Sequence, residues 1–289
     1  MKSLSLLPAI VGIVVMSGAV HAASPIKIVA AENFYGDIAV QIGGPQVTVS
    51  SILSNPDQDP HLFEISPSVA RQLSGARIVI YNGADYDPWM PKLLGAVRAA
   101  ERKVIVVADL VRKKAGDNPH IWYDPATMPA LAKALAEELG AADPLHKADY
   151  QERLAQFEQS MRPIQSKVAA LRRRLGGIPV TATESVFQYM FEALGMEVRN
   201  QSFQIAVMND TEPSASDIAN FEQDLKQHRV RLLVYNSHAT DPLAERMVKL
   251  AKASNIPVVA ATETEPPGKT YQAWMMDELE AVDHALGKP

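Results

Sequence analysis

The chain of 289 residues contains no cysteine. This excludes disulfides and thiolate metal ligands, and it leaves no thiol behind the N-terminal segment to carry a lipid. Phosphate-cradling and nucleophilic signatures are missing too: there is no Walker A loop, no Gly-x-Gly-x-x-Gly after a strand and no Gly-x-Ser-x-Gly elbow. Basic residues are scattered and the net charge is −5, which argues against a nucleic-acid partner. After the N-terminal segment, no run is apolar enough to span a bilayer.

What is present begins with Met1-Lys2-Ser3, an apolar run from Leu4 to Val15, and then Ser17-Gly18-Ala19-Val20-His21-Ala22-Ala23. A positive end, a short apolar centre and small residues at the exit predict a secretory signal over 1–22, cut after Ala22. The expected mature protein is periplasmic and not membrane-anchored.

Short runs rich in Val, Ile and Leu alternate with helical patterns. The strand candidates are Ile26–Ala30, Val47–Leu53, Arg77–Tyr81, Lys103–Val107, Ile178–Ala182, Glu197–Gln201, Arg231–Tyr235 and Ile256–Ala260. Most are continuous rather than alternating, as buried parallel strands are. Ser66-Pro67 opens one helix candidate and Gly75 closes it; Gly195 closes another. The rhythm breaks between Pro144 and Leu175. There Tyr150, Leu154, Phe157, Met161, Ile164, Val168 and Leu171 recur in alternating steps of four and three, ahead of Gly176-Gly177. That spacing predicts one long helix, with a possible kink site at Pro163. The expected class is therefore α/β with two lobes. Each is a mostly parallel four-stranded sheet flanked by helices, over 23–143 and 177–289, and the long helix of 144–176 joins them.

An α/β protein binds ligands beyond the carboxyl ends of its strands. Four strand ends lead into Asp59-Pro60-His61, Asn118-Pro119-His120, Thr183-Glu184-Ser185 and Thr262-Glu263-Thr264-Glu265. Imidazole nitrogen and carboxylate oxygen suit borderline-to-hard divalent cations. Singly, each residue has a plainer reading. His61 and His120 are loop residues after proline, Glu184 suits a helix start, and Glu263 and Glu265 precede Pro266-Pro267-Gly268 as solvated turn residues would. His238 is a rival ligand, and Asn236 is placed to hydrogen-bond a ligand residue. A metal-dependent hydrolase with Asp59, Glu265 or Asp124 as base, and a metal-independent adhesin or scaffold, are the alternatives.

At these residues the chain resembles the metal-binding solute receptors of bacterial manganese and zinc import transporters. The matching pieces are Asn33-Phe34-Tyr35, Asp59-Pro60-His61, Asn118-Pro119-His120-Ile121-Trp122, Thr183-Glu184-Ser185-Val186-Phe187-Gln188-Tyr189 and Thr262-Glu263-Thr264. The resemblance implies the same two-lobed fold and one metal bound by His61, His120, Glu184 and Glu263. Glu184 stands where zinc receptors commonly carry a third His and manganese and iron receptors a Glu. Glu263 stands where many members carry Asp. The His-rich insertion of many zinc receptors is missing. Two imidazoles and two carboxylates that can each chelate favour Mn²⁺, with Zn²⁺ and Fe²⁺ as further candidates. The resemblance also implies a monomeric, non-enzymatic carrier whose partners are an inner-membrane permease and its ATPase.

Overall fold

The computed structural model describes residues 24–54, 63, 66–237 and 241–287. The expected signal segment, Asp59, His61 and His238 lie outside the described residues. The first half runs β1 (Ile26–Glu32), α1 (Asn33–Gly43), β2 (Val47–Leu53), α2 (Pro67–Ser74), β3 (Ile78–Tyr81), α3 (Trp89–Ala96), β4 (Lys103–Val106), α4 (Val107–Leu110) and α5 (Thr127–Ala142). Then comes the long α6 (Lys147–Leu175). The second half runs β5 (Pro179–Ala182), α7 (Gln188–Ala193), β6 (Glu197–Val198), α8 (Gln201–Met208), α9 (Ala215–Lys226), β7 (Leu233–Asn236), α10 (Pro242–Ala253), β8 (Val258–Ala261) and α11 (Tyr271–Leu286).

The strands form two four-stranded sheets, ordered β2-β1-β3-β4 and β6-β5-β7-β8, and every pair is parallel. Both halves therefore have one topology. In each, the chain turns one way from the first strand and the other way from the second. The crevice where strand order reverses lies at the ends of β1 and β3 in one lobe and of β5 and β7 in the other.

The continuous apolar strands follow from burial on both faces. Ile28, Ala30, Ile78 and Ile80 face a large core that also takes in α5, α6, α11 and the second sheet. Val29, Ala31 and Val79 face a second cluster with α2 and α3. Leu233 and its neighbours pack with α8, α9 and α10 on the far side of the second sheet. The central core is one cluster that spans both lobes, with α6 as its spine. Tyr150, Leu154, Phe157, Met161, Ile164, Leu171 and Leu175 of α6 are buried. Each such side chain contributes roughly 1.5–3 kcal/mol. Pro163 sits on the exposed side of α6, and the helix continues through it.

Some expected boundaries shift. β6 has two residues instead of five because Asn200 adopts φ 60°, left-handed backbone that ends the strand, and Gln201 starts α8. Val107 begins α4 rather than ending β4. Ser66 Oγ caps α2 as expected, but Gly75 closes it at φ −99°, without the left-handed turn. Gly177 (φ 79°) and Gly195 (φ 67°) do supply that turn.

Candidate metal centre

His120, Glu184 and Glu263 come from three distant segments. His120 ends the long loop after α4 and precedes a 3₁₀ turn, Ile121–Tyr123. Glu184 lies just past β5 and before a second 3₁₀ turn, Ser185–Phe187, rather than opening a full α-helix. Glu263 follows β8. All three are buried. One ligand-type atom from each falls in a group whose members all lie within 4.8 Å of one another. His120 Nε2 stands 3.6 Å from Glu184 Oε1 and 3.8 Å from Glu263 Oε2. These separations are longer than a direct hydrogen bond and suit atoms that share a cation between them.

The groups behind these three candidate ligands fix their orientation. The Asn118 amide is set by two partners: its Oδ1 accepts the His120 backbone N–H at 3.0 Å, and its Nδ2 donates to the Ser185 carbonyl at 2.7 Å. The same Oδ1 lies 2.8 Å from His120 Nδ1. An oxygen there requires the proton on Nδ1, which leaves the Nε2 lone pair facing the carboxylates. Asn236, at the end of β7, donates through Nδ2 to Glu184 Oε2 at 2.8 Å and also to Glu263 Oε1. The Tyr86 hydroxyl donates to Glu263 Oε2 at 2.9 Å. Around His120 stand Trp122 and Tyr86, edge to face, with ring centres 5.3 and 6.1 Å away.

Beneath the His120 loop, Asn82 donates to the Pro119 carbonyl at 2.9 Å and accepts from the Tyr35 hydroxyl. Asp87 accepts from the backbone of Asn82 and Gly83. Burial pushes Asp87 up to about 6, and burial together with Asp87 raises Glu32 well above the carboxylate range. Two neighbouring buried carboxyls thus underlie the loop that carries Tyr86, and they cannot readily ionise together.

The lobes are stitched together close to the centre. Asn33 donates to the Glu265 carbonyl at 2.7 Å and accepts its N–H at 3.1 Å. The Tyr271 hydroxyl donates to the Trp122 carbonyl, that of Tyr123 to the Thr262 carbonyl, and that of Tyr189 to the Asn118 carbonyl. On another side a cleft of about 440 Å³ opens between the lobes beside Asn118, Pro119 and Ser185.

The structure thus brings together three of the four expected ligands, and His61 lies outside the described residues. Glu265 and Asp124 are not members of the three-residue group. Glu265 is no solvated turn residue: it is buried, and burial pushes its carboxyl up to about 8. Asp124 caps a turn by accepting from Ala126 N–H. Asn236 takes the supporting role anticipated for it. Tyr86 escaped sequence reasoning, because nothing local links it to a glutamate 177 positions away. Asn118 carried a signal, since an Asn two residues before a His can reach back to it.

Comparison with known proteins bears on the family and the fold. The manganese ABC transporter substrate-binding lipoprotein PsaA of Streptococcus anginosus is 23% identical over 287 residues, covering 91% of this chain and 90% of the relative. The periplasmic zinc binding protein TroA of Treponema pallidum superposes with a TM-score of 0.75 at 19% identity, covering 92% of this chain and all of that one. A Mn-bound periplasmic metal binding protein from candidatus liberibacter asiaticus gives a TM-score of 0.72 at 17% identity, covering 90% and 99%. These structures share the fold. The family described as zinc-uptake complex component A, periplasmic, matches residues 28–285, and the chain belongs to that family.

Proposed function

We propose that this protein is the extracytoplasmic receptor of a divalent-metal importer. It captures one transition-metal ion between its lobes and hands it to a membrane permease driven by a separate ATPase. The observation that carries this reading is the buried group of His120, Glu184 and Glu263, assembled across the lobe boundary. His61 completes the set as a second imidazole. Because the metal is cargo, the site has to bind and release it and has no substrate to transform. The supporting groups around the three ligands hold them rather than activate a water. Of the three bases considered for a hydrolase, Asp124 and Glu265 do not join the group, and Asp59 lies outside the described residues.

The functional units are the lobes of 23–143 and 177–289 with 144–176 as connector, released into the periplasm as a monomer. The core shared by both lobes and the hydrogen bonds that join them favour a modest shift on loading over a wide hinge opening. Donor chemistry alone favours Mn²⁺, with Zn²⁺ and Fe²⁺ able to bind the same set.

Thermal melts with and without metal test this reading. Binding to the folded form raises Tm, by about 2.7 kcal/mol of stabilisation at a hundredfold excess over Kd. His120→Ala abolishes most of that rise. Full metal stabilisation of the variant would show that the ion sits elsewhere.

A further inference from the structure

We propose that the buried Glu32 carboxyl is a neutral acid that donates its proton to the Asp87 carboxylate, and that this bond positions the turn of residues 82–87, which carries Tyr86 to Glu263 and Asn82 to the His120 loop. Glu32 is thereby a positioning residue of the metal centre. Its part in metal binding rests on the receptor reading above; its protonation does not.

The register of the first sheet brings the two carboxyls together. Ala30 of β1 pairs with Ile80 of β3, so Glu32, two residues on, stands level with Asn82. Neighbouring strands are about 4.8 Å apart. Asp87 folds back onto this strand end: its Oδ2 accepts the Asn82 N–H at 2.7 Å and its Oδ1 the Gly83 N–H at 2.9 Å. Glu32 and Asp87 are 0% and 1% exposed, and their side chains are in hydrogen-bonding contact. Two carboxylates are both acceptors, so a bond between them needs a proton on one.

Their other partners decide which one carries it. Asp87 takes two backbone N–H groups, and these favour its charged form. Among the described residues, neither oxygen of Glu32 receives a hydrogen bond from an N–H or O–H group. An ionised Glu32 would be a buried charge without a donor, beside a second negative charge. The titratable groups coupled to Glu32 are Asp87, Tyr35 and Tyr86, all of them acids. Burial first, and Asp87 second, push its carboxyl well above the ordinary range, in the same direction as the geometry.

The turn needs such a hold. Gly83, Ala84 and Asp85 follow one another in left-handed backbone, at φ 78°, 50° and 64°. Two of the three carry side chains, for which that conformation is unfavourable. The Asp87 carboxylate ties down the entry of the turn, and Glu32 ties Asp87 to β1. At the start of the turn Asn82 Nδ2 donates to the Pro119 carbonyl at 2.9 Å, next to His120. Near its end the Tyr86 hydroxyl donates to Glu263 Oε2 at 2.9 Å. A turn released from β1 would disturb both contacts.

The test compares Glu32→Gln and Glu32→Ala with the wild type, each as the full metal-free chain. Glutamine keeps a neutral donor to Asp87, and alanine removes it. Infrared difference spectra at about pH 7.5, above the ordinary carboxylate range, read the proton. The wild type minus Glu32→Gln should show the band of a protonated carboxyl. Zn²⁺ affinity is then read by chelator competition. Glu32→Gln should bind within about threefold of the wild type and Glu32→Ala roughly tenfold more weakly, the lower end of the loss seen when a group behind a metal ligand is removed. Absence of the protonated band would overturn the proposal. So would a glutamine variant that loses as much affinity as the alanine variant, or an alanine variant that folds and binds like the wild type. If the alanine variant does not fold, the band and the glutamine variant still decide. Failure of Zn²⁺ to bind the wild type would instead remove the receptor reading, with the infrared band left to judge the proton.

Discussion

Asn118→Ala is the substitution that most directly tests how His120 is prepared for metal. The wild-type amide makes three contacts: to His120 N–H at 3.0 Å, to His120 Nδ1 at 2.8 Å and to the Ser185 carbonyl at 2.7 Å. The first and third fix which atom is oxygen, because a backbone N–H only donates and a carbonyl only accepts. The second then places the imidazole proton on Nδ1 and leaves Nε2 free of hydrogen on the side of the glutamates. Alanine removes this selection, and the ring can turn or hold its proton on Nε2. Loss of such a group typically weakens metal affinity 10–100-fold, or about 1.4–2.7 kcal/mol. The metal-free protein also loses the hydrogen bonds, worth about 1 kcal/mol each. Affinity and apo stability are therefore measured separately, by chelator competition and by urea melts. Asn118→Asp keeps the acceptor while losing the donor to Ser185, so its affinity should lie between wild type and alanine. An alanine variant that binds within about twofold of wild type, well short of the usual loss, would refute the assignment of Nδ1 as the proton carrier.

Two further outcomes follow from the titrating groups. Glu278 is buried in α11, where burial pushes its carboxyl up to about 7, and it accepts from Trp274 Nε1 at 3.2 Å. A carboxyl raised in the folded state binds its proton more tightly there than when unfolded. Stability is then lost as pH rises from the ordinary value of about 4.5 through 7. Glu278→Gln should stabilise the metal-free protein by on the order of 2–3 kcal/mol at pH 8.5 and little at pH 4.5. Melts at both pH values check this, and an equal effect at the two would contradict it. Metal binding runs the other way: protonation of the imidazoles competes with the ion, so affinity should fall below about pH 6.5. A titration with Zn²⁺ at pH 7.5 and 5.5 reads this directly, and a flat profile would mean that no imidazole binds the metal.

Much of this protein was written locally in its sequence. Parallel strands buried on both faces must be apolar throughout, so β3, in the middle of its sheet, was readable to within one residue and the other strands to within a few. α6 has to bury one stripe against both lobes, and the alternating steps of four and three from Tyr150 to Leu171 record it. The glutamates were visible as candidates because they follow strand ends, where an α/β fold gathers its ligands, and His120 because it lies in the loop that follows β4 and α4. Other features depended on contacts the chain makes only once folded. Asn200 cuts β6 short by a backbone angle that side-chain pattern does not encode. Glu265 looked like a solvated turn residue, but Asn33, from the other lobe, clasps its backbone and the site closes over it. Tyr86 meets Glu263 across 177 positions, and Asn118 reaches Ser185 across 67. Local physics, meaning burial on two faces and helical periodicity, let the sequence alone determine the class of fold. Only the tertiary structure decided which oxygen of each glutamate faces His120, because that depends on β7 lying between β5 and β8 with Asn236 at its end.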